Sequence, residues 1–205
     1  MLIKIHPQNP DERNLQKVID CLKNGGVIIY QTDTVYAIGC DINQPKAFER
    51  ICKIKGIKPE KANFSIVCLD LSHISEFTKH IPTSIYKVMK KVLPGPFTFI
   101  LEASKSVPKL FQSKKKTIGI RVPNHLVVRS IVEKLGNPIV STSVHDVDKL
   151  IDYTTDPELI YENFSSKVDM VIDSGFGGIV ASTVVDCSNG EIEIIREGAG
   201  SLDDL

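Results

Sequence analysis

The sequence predicts an α/β (α+β) fold: a single domain, residues 1–205, built on a twisted, mostly open mixed β-sheet flanked by helices. Strand-like and helix-like segments alternate along the chain, but without the strict strand–helix–strand rhythm of an all-parallel sheet. The run Val27-Ile28-Ile29-Tyr30 is apolar without a break, the pattern of a strand covered on both faces. At 205 residues and 42% hydrophobic composition, the chain suits one domain, or one with a small appendage. No internal repeat, low-complexity tract or linker divides it.

Each element has its own signal. After a short opening strand, Asn9-Pro10-Asp11-Glu12 supplies a cap, a first-turn proline and an acidic first turn. Leu15, Val18, Ile19 and Leu22 then repeat at helical spacing until Gly25 ends the helix. Val27 to Tyr30, β-branched or aromatic throughout, form the central strand. Pro45 starts a second helix with Ala47, Phe48, Ile51 and Cys52 on one face and Lys53 and Lys55 in its last turn. Residues 63–69 read as a strand, and Leu71, Ile74 and Phe77 as a short helix. Ile85, Val88, Met89 and Val92 mark an amphipathic helix begun near Pro82 and stopped by Leu93-Pro94-Gly95-Pro96. Residues 97–101 form a buried strand, followed by Lys114-Lys115-Lys116 and by Thr117-Ile118-Gly119-Ile120-Arg121-Val122-Pro123. Residues 126–135 make a helix ended by Gly136, and Pro138-Ile139-Val140 leads as a strand into Ser141-Thr142-Ser143-Val144-His145. Asp156-Pro157-Glu158 caps a further helix, 168–172 and 182–185 read as strands, and 192–196 as a last strand closing the core.

The chain is organised around the end of its central strand. Thr32, Asp33, Thr34 and Tyr36 lie between Tyr30 and Gly39, so they either close a hydroxyl or Asx turn on their own backbone or line a pocket at the strand's end. Ser141 to Ser143 repeat the arrangement, a second strand opening onto hydroxyls. With cations at Lys55, Arg121 and Arg196, this distributed set suits a phosphorylated or anionic ligand.

Composition removes several classes. Lysine plus arginine and aspartate plus glutamate each number 25, so no global field draws in nucleic acid or an anionic membrane. The five cysteines are scattered through apolar segments without a C-x-x-C pair, which reads as reduced core thiols, and no metal site is expected. Met1 to His6 lack the apolar core of a signal peptide, and no apolar run approaches the roughly 18 residues of a membrane span. The expected location is therefore the cytoplasm, with no membrane partner. No G-x-x-x-x-G-K-[ST] or G-x-S-x-G occurs, and Gly175-Phe176-Gly177-Gly178 lacks the spacing of a dinucleotide loop.

Gln31-Thr32-Asp33-Thr34-Val35-Tyr36-Ala37-Ile38-Gly39 resembles the P-T-[ED]-T-x-Y-[GA]-[LI]-G signature of the YrdC/YciO family of threonylcarbamoyl-AMP synthases and their relatives. Lys53-Ile54-Lys55-Gly56, Pro94 to Thr98, Gly119 to Pro123, Ser182 to Asp186 and Arg196-Glu197-Gly198 match that family's blocks in order. The match spans nearly the whole chain, and six ordered blocks are specific where any one is not. The resemblance implies a YrdC-like fold and a reaction in which L-threonine, bicarbonate and ATP give L-threonylcarbamoyl-AMP and pyrophosphate. A separate enzyme would then pass the group to an adenosine of tRNA, and Mg²⁺ would accompany the triphosphate. Thr34, Arg121, Ser141 and Ser182 would hold threonine, with Arg121 on its carboxylate; Asn63, Thr117, Ser143 and Arg196 would face ATP. Lys55 and Ser143 would stand nearest the chemistry.

The family's K-x-R reads Lys55-Gly56-Ile57 here, and its S-x-N reads Ser143-Val144-His145. Cys68 replaces a histidine, about two residues are inserted between Ile57 and Asn63, and Glu197 stands where synthases often carry proline, a pattern resembling the YciO branch. Lys58 is expected to join Lys55 in replacing the lost arginine, with His145 donating where asparagine would. Three readings follow: a threonylcarbamoyl-AMP synthase, a YciO-type protein binding a nucleotide or an RNA end without turnover, and a hydrolase or transferase of a related carbamoyl- or acyl-phosphate intermediate.

Overall fold

The structure, a computed structural model, describes residues 1–111, 116–144 and 154–205. Its strands are β1 (Leu2–Lys4), β2 (Ile28–Tyr30), β3 (Ala37–Asp41), β4 (Ser65–Val67), β5 (Phe97–Glu102), β6 (Thr117–Arg121), β7 (Ile139–Ser143), β8 (Met170–Asp173), β9 (Thr183–Asp186) and β10 (Glu193–Arg196). Among the described residues six α-helices accompany them: α1 (Glu12–Lys23), α2 (Pro45–Ile54), α3 (Leu71–Phe77), α4 (Thr83–Val92), α5 (Leu126–Leu135) and α6 (Pro157–Phe164). All the strands join one mixed sheet in the order β1-β8-β2-β3-β7-β4-β6-β5-β9-β10. The sheet is parallel at β1–β8, β8–β2, β4–β6 and β5–β9 and antiparallel at its other junctions, as the irregular rhythm of the sequence predicts.

Helix signals translate closely. Leu15, Val18, Ile19 and Leu22 are the buried face of α1, and Ala47, Phe48, Ile51 and Cys52 that of α2. The cap of α1 is Asp11, whose side chain accepts from Asn14 N, so Pro10 precedes the helix instead of occupying its first turn. Gly136 ends α5 in the left-handed conformation (φ 74°) that favours glycine. Among the described residues, no helix is long and apolar enough to cross a membrane.

In the strands from β1 to β4 along the sheet, alternate side chains enter two different cores. Val27, Ile29, Ile38, Cys40, Ile66, Phe99, Ile120 and Val185 join one with residues of α2, α3, α4 and α6. Ile28, Tyr30, Ala37, Val67, Ile139, Met170 and Ile172 join the other with α1 and α5. The second core draws on β1, β8, β2, β3, β4 and β7 and receives nothing from β6, β5, β9 or β10. The four-strand portion of that face is therefore left without α1 or α5 over it.

Two expectations need correction. The polar cluster ends at Tyr36, and Gly39, expected only to bound it, lies inside a fully buried strand, residues 37–41, that returns antiparallel along β2. Residues 192–196 do not close the core: β10 is an edge strand on which Ile194 and Ile195 are exposed.

Strand β3 is tightly flanked. A Cβ on Gly39 would lie 2.7 Å from both Val140 O and Ile139 Cγ2 and 3.2 Å from the Tyr30 ring. Gly39→Ala is expected to destabilise the fold by about 2 kcal/mol, the usual cost of overpacking a filled site. Urea denaturation should show a lower midpoint at unchanged slope.

Candidate functional site

The uncovered portion of the sheet carries a cavity of about 940 Å³. Its floor keeps the parity of the second core: Ser65 shares a face with Val67, and Ser141 and Ser143 share one with Ile139. Where α1 and α5 would demand apolar residues, these positions are small or polar. Ser65 stands opposite Ser141 on one neighbouring strand and Gly119 on the other; Gly119 stands opposite Ile100, and Ile100 opposite Asp186. Gly119 keeps this row open, since a Cβ there would lie 2.7 Å from Ser65 Oγ.

The turn after β2 builds one wall. Thr32 Oγ1 donates to Val35 O (2.7 Å) and pairs with Thr34 Oγ1 (3.0 Å), so part of the hydroxyl cluster satisfies its own backbone. Asp33 reaches outward: its Oδ1 accepts from Arg121 Nη2 (2.8 Å) and its Oδ2 from Asn124 N (2.9 Å). Arg121 Nη2 also donates to Thr34 Oγ1 (3.1 Å). The same turn holds the loop before β9, through Tyr36 Oη to Gly175 O (2.6 Å), Gln31 Nε2 to Phe176 O (2.7 Å) and Gly178 N to Thr34 O (2.7 Å). That loop carries the exposed Ile179 and Val180 into the cavity lining.

The lining carries charge of both signs, Lys61, Arg121 and Arg196 beside Glu60, Asp186 and Glu197. The Arg121 and Asp33 side chains are only 10% and 9% exposed. Burial pushes the Arg121 guanidinium downward, Asp33 opposes the shift, and Arg196 adds to it. Asp33 balances Arg121, while Arg196 presents a second guanidinium to the same lining. Arg121 Nε is buried without a hydrogen-bond partner among the described residues. Arg196 is steadied by Ser182 O, 2.7 Å from Nη2, and Ser182 Oγ pairs with Thr98 Oγ1 at 2.8 Å. Burial raises Tyr30 to about 12, so its hydroxyl stays protonated and donates to Ser141 Oγ (2.7 Å). The five thiols are free and all pushed upward by burial, which leaves them inert.

The cavity brings together Asn63, Thr117, Arg121, Ser141, Ser143, Ser182 and Arg196 of the residues the sequence singles out. They lie along one sheet face, with Thr117, Arg121, Ser143 and Arg196 at strand termini and Ser141 inside β7. Thr34 is buried behind Arg121 and does not line the cavity. Lys55, the C-cap of α2, donates to Ser143 O (3.2 Å) and Val144 O (3.3 Å) and supports β7 from outside the lining. Lys58 is exposed and also outside it, since it precedes the short 3-10 turn Pro59–Lys61 that brings Lys61 to the cavity instead. His145, Lys114 and Lys115 lie outside the described residues. Sequence reasoning missed Ser65, Asp186 and Lys61 as lining residues, and Asp33 as the partner of Arg121. The signal for Ser65 was a single hydroxyl in an otherwise apolar strand.

Residues 20–198 match the Sua5/YciO/YrdC family model, described as "Telomere recombination". The chain is 38% identical over 200 residues to the uncharacterized protein YciO of Escherichia coli, covering 97% of this chain and 95% of that protein. The crystal structure of E. coli YciO superposes with a TM-score of 0.92 at 36% identity, covering 100% of this chain and 98% of that one. A threonylcarbamoyl-AMP synthase of Pseudoalteromonas translucida is 28% identical over 190 residues, 89% of this chain and 97% of that protein. Sua5 of Pyrococcus abyssi, crystallised with L-threonine, superposes with a TM-score of 0.90 at 25% identity; all of this chain matches 59% of that one.

The buried ion pair yields a stability prediction. Asp33→Asn strands the Arg121 charge and is expected to cost about 3 kcal/mol. Adding Arg121→Met should recover part of that loss, so the double variant is less destabilised than the sum of the single ones. Urea denaturation of the three variants checks it; simple additivity would show the pair to be uncoupled.

Proposed function

Because the chain belongs to the Sua5/YciO/YrdC family, we propose that it catalyses a synthase reaction of the threonylcarbamoyl-AMP type, from L-threonine, bicarbonate and ATP. The observation that carries the reading is the convergence of Arg121 and Arg196 with Ser141, Ser182, Thr117 and Asn63 on one cavity large enough for two ligands. Threonine's amine and bicarbonate form a carbamate with loss of water. A carbamate oxygen then bonds to the α-phosphorus of ATP as the bond to the pyrophosphate oxygen breaks. Both partners are anionic, so the protein's task is to align them and offset their repulsion, which calls for cations, hydroxyls and backbone donors and no covalent nucleophile.

Within this reading, the unmet Nε donor of Arg121 takes the threonine carboxylate, and Ser141 and Ser182 take its remaining polar atoms. Arg196, Thr117, Asn63 and Ser143 face the nucleotide. Mg²⁺ accompanying the triphosphate would supply charge neutralisation, and the lining carboxylates Glu60 and Asp186 would hold it through its waters. The product is a reactive mixed anhydride, which a separate tRNA-modifying transferase consumes. A second reading, nucleotide or RNA-end binding without turnover, is favoured by one observation. Lys55 is engaged with the β7 backbone and Ile57 brings no charge where the synthases carry K-x-R.

Pyrophosphate release from ATP should require both threonine and bicarbonate. Arg196→Ala should slow it on the order of a hundredfold, the scale of one lost transition-state donor. ATP binding without threonine-dependent release would favour the second reading.

A further inference from the structure

We propose that Lys61 is the cation that meets the polyphosphate end of the nucleotide in this chain, in place of the arginine missing from K-x-R. The inference rests on reading the cavity as a nucleotide site. Four positions around the lengthened stretch compete for the role. Ile57 brings no charge and, 36% exposed, lies outside the lining. Lys55 is directed at the carbonyls of Ser143 and Val144. Lys58 and Lys61 are both exposed, but Lys58 lies outside the lining. Lys61 lines the cavity, and among the described residues no carboxylate lies within ion-pair distance of it.

The insertion itself places it there. Pro59 opens a 3-10 turn closed by Lys61 N to Lys58 O (2.9 Å) and Ala62 N to Pro59 O (3.1 Å). Directly after the turn, Ala62 and Phe64 are buried, and the Phe64 ring meets Phe48 edge-on at 5.4 Å. Lys61 thus sits between a proline-started turn and an aromatic anchored in the core, so its backbone is held at the cavity wall by packing that owes nothing to a ligand. Arg196 and Thr117 line the same cavity. Glu60 also lines the wall and offsets part of the lysine's field. An ammonium is a point charge without the arginine's planar fork, so Lys61 contributes attraction more than alignment.

Binding of ATP and of adenosine to the full chain, measured by titration calorimetry with magnesium present, tests the assignment. Lys61→Ala should weaken ATP about tenfold while leaving adenosine unchanged, as one lost charged contact does. Lys58→Ala, which removes an equal charge nearby but outside the cavity, should change ATP affinity by less than about twofold. Unchanged ATP affinity in Lys61→Ala, equal losses for ATP and adenosine, or equal losses in the two variants would overturn it. A wild-type protein that binds no ATP would overturn the nucleotide reading and this assignment together; wild-type binding with an indifferent Lys61→Ala overturns the assignment alone.

Discussion

A sheet must bury its apolar face, and the number of helices available to cover it decides where the protein can be open. Ten strands at about 4.8 Å spacing span roughly 43 Å, whereas two helices side by side cover about 20–24 Å. On the face packed by α1 and α5, the cover therefore runs out near β7 and β4. Beyond that line the face lines the cavity, where serine, threonine and glycine stand among the apolar Ile100 and Val184. The cavity follows from the difference between the sheet's width and the helices' width.

Much of this was legible in the residues. Helical faces in α1, α2 and α4 follow the 3.6-residue spacing, because a helix that packs on one side records its orientation in its own sequence. Strand β3 did not, since its residues, from Ala37 through Ile38, Gly39 and Cys40 to Asp41, include a glycine where two neighbouring strands crowd it. The composition of a turn and that of a squeezed central strand coincide there. The hydroxyls of Ser141 and Ser143 were legible as a site but not as part of a strand. Polar residues inside a strand are expected only when one face is open, and the sequence does not state how far the helices reach. Lys58 and Lys61 differ only by the path of a short turn, which no periodicity records.

The Arg121–Asp33 pair ties the two parts of the molecule together. Asp33 belongs to the turn leaving the covered part, Arg121 to a strand in the open part, and neither charge is hydrated enough to stand alone. Asp33 also accepts from Asn124 N, so the same carboxylate fixes the chain entering α5. A pair so placed holds a guanidinium ready at a cavity wall without leaving it unbalanced before a ligand arrives, which shortens the reorganisation that binding demands.

The bond from Tyr30 to Ser141 crosses the same boundary, with a core residue on one side and a lining residue on the other. The chain contains no tryptophan and five tyrosines, so the red end of its near-ultraviolet signal, beyond the phenylalanine bands, belongs to phenol rings. One of these rings shares its hydroxyl proton with the cavity floor while the ring itself is immobilised in the core. The molecule thereby carries its own optical gauge of occupancy: whatever takes hold of Ser141 perturbs a chromophore that solvent does not reach.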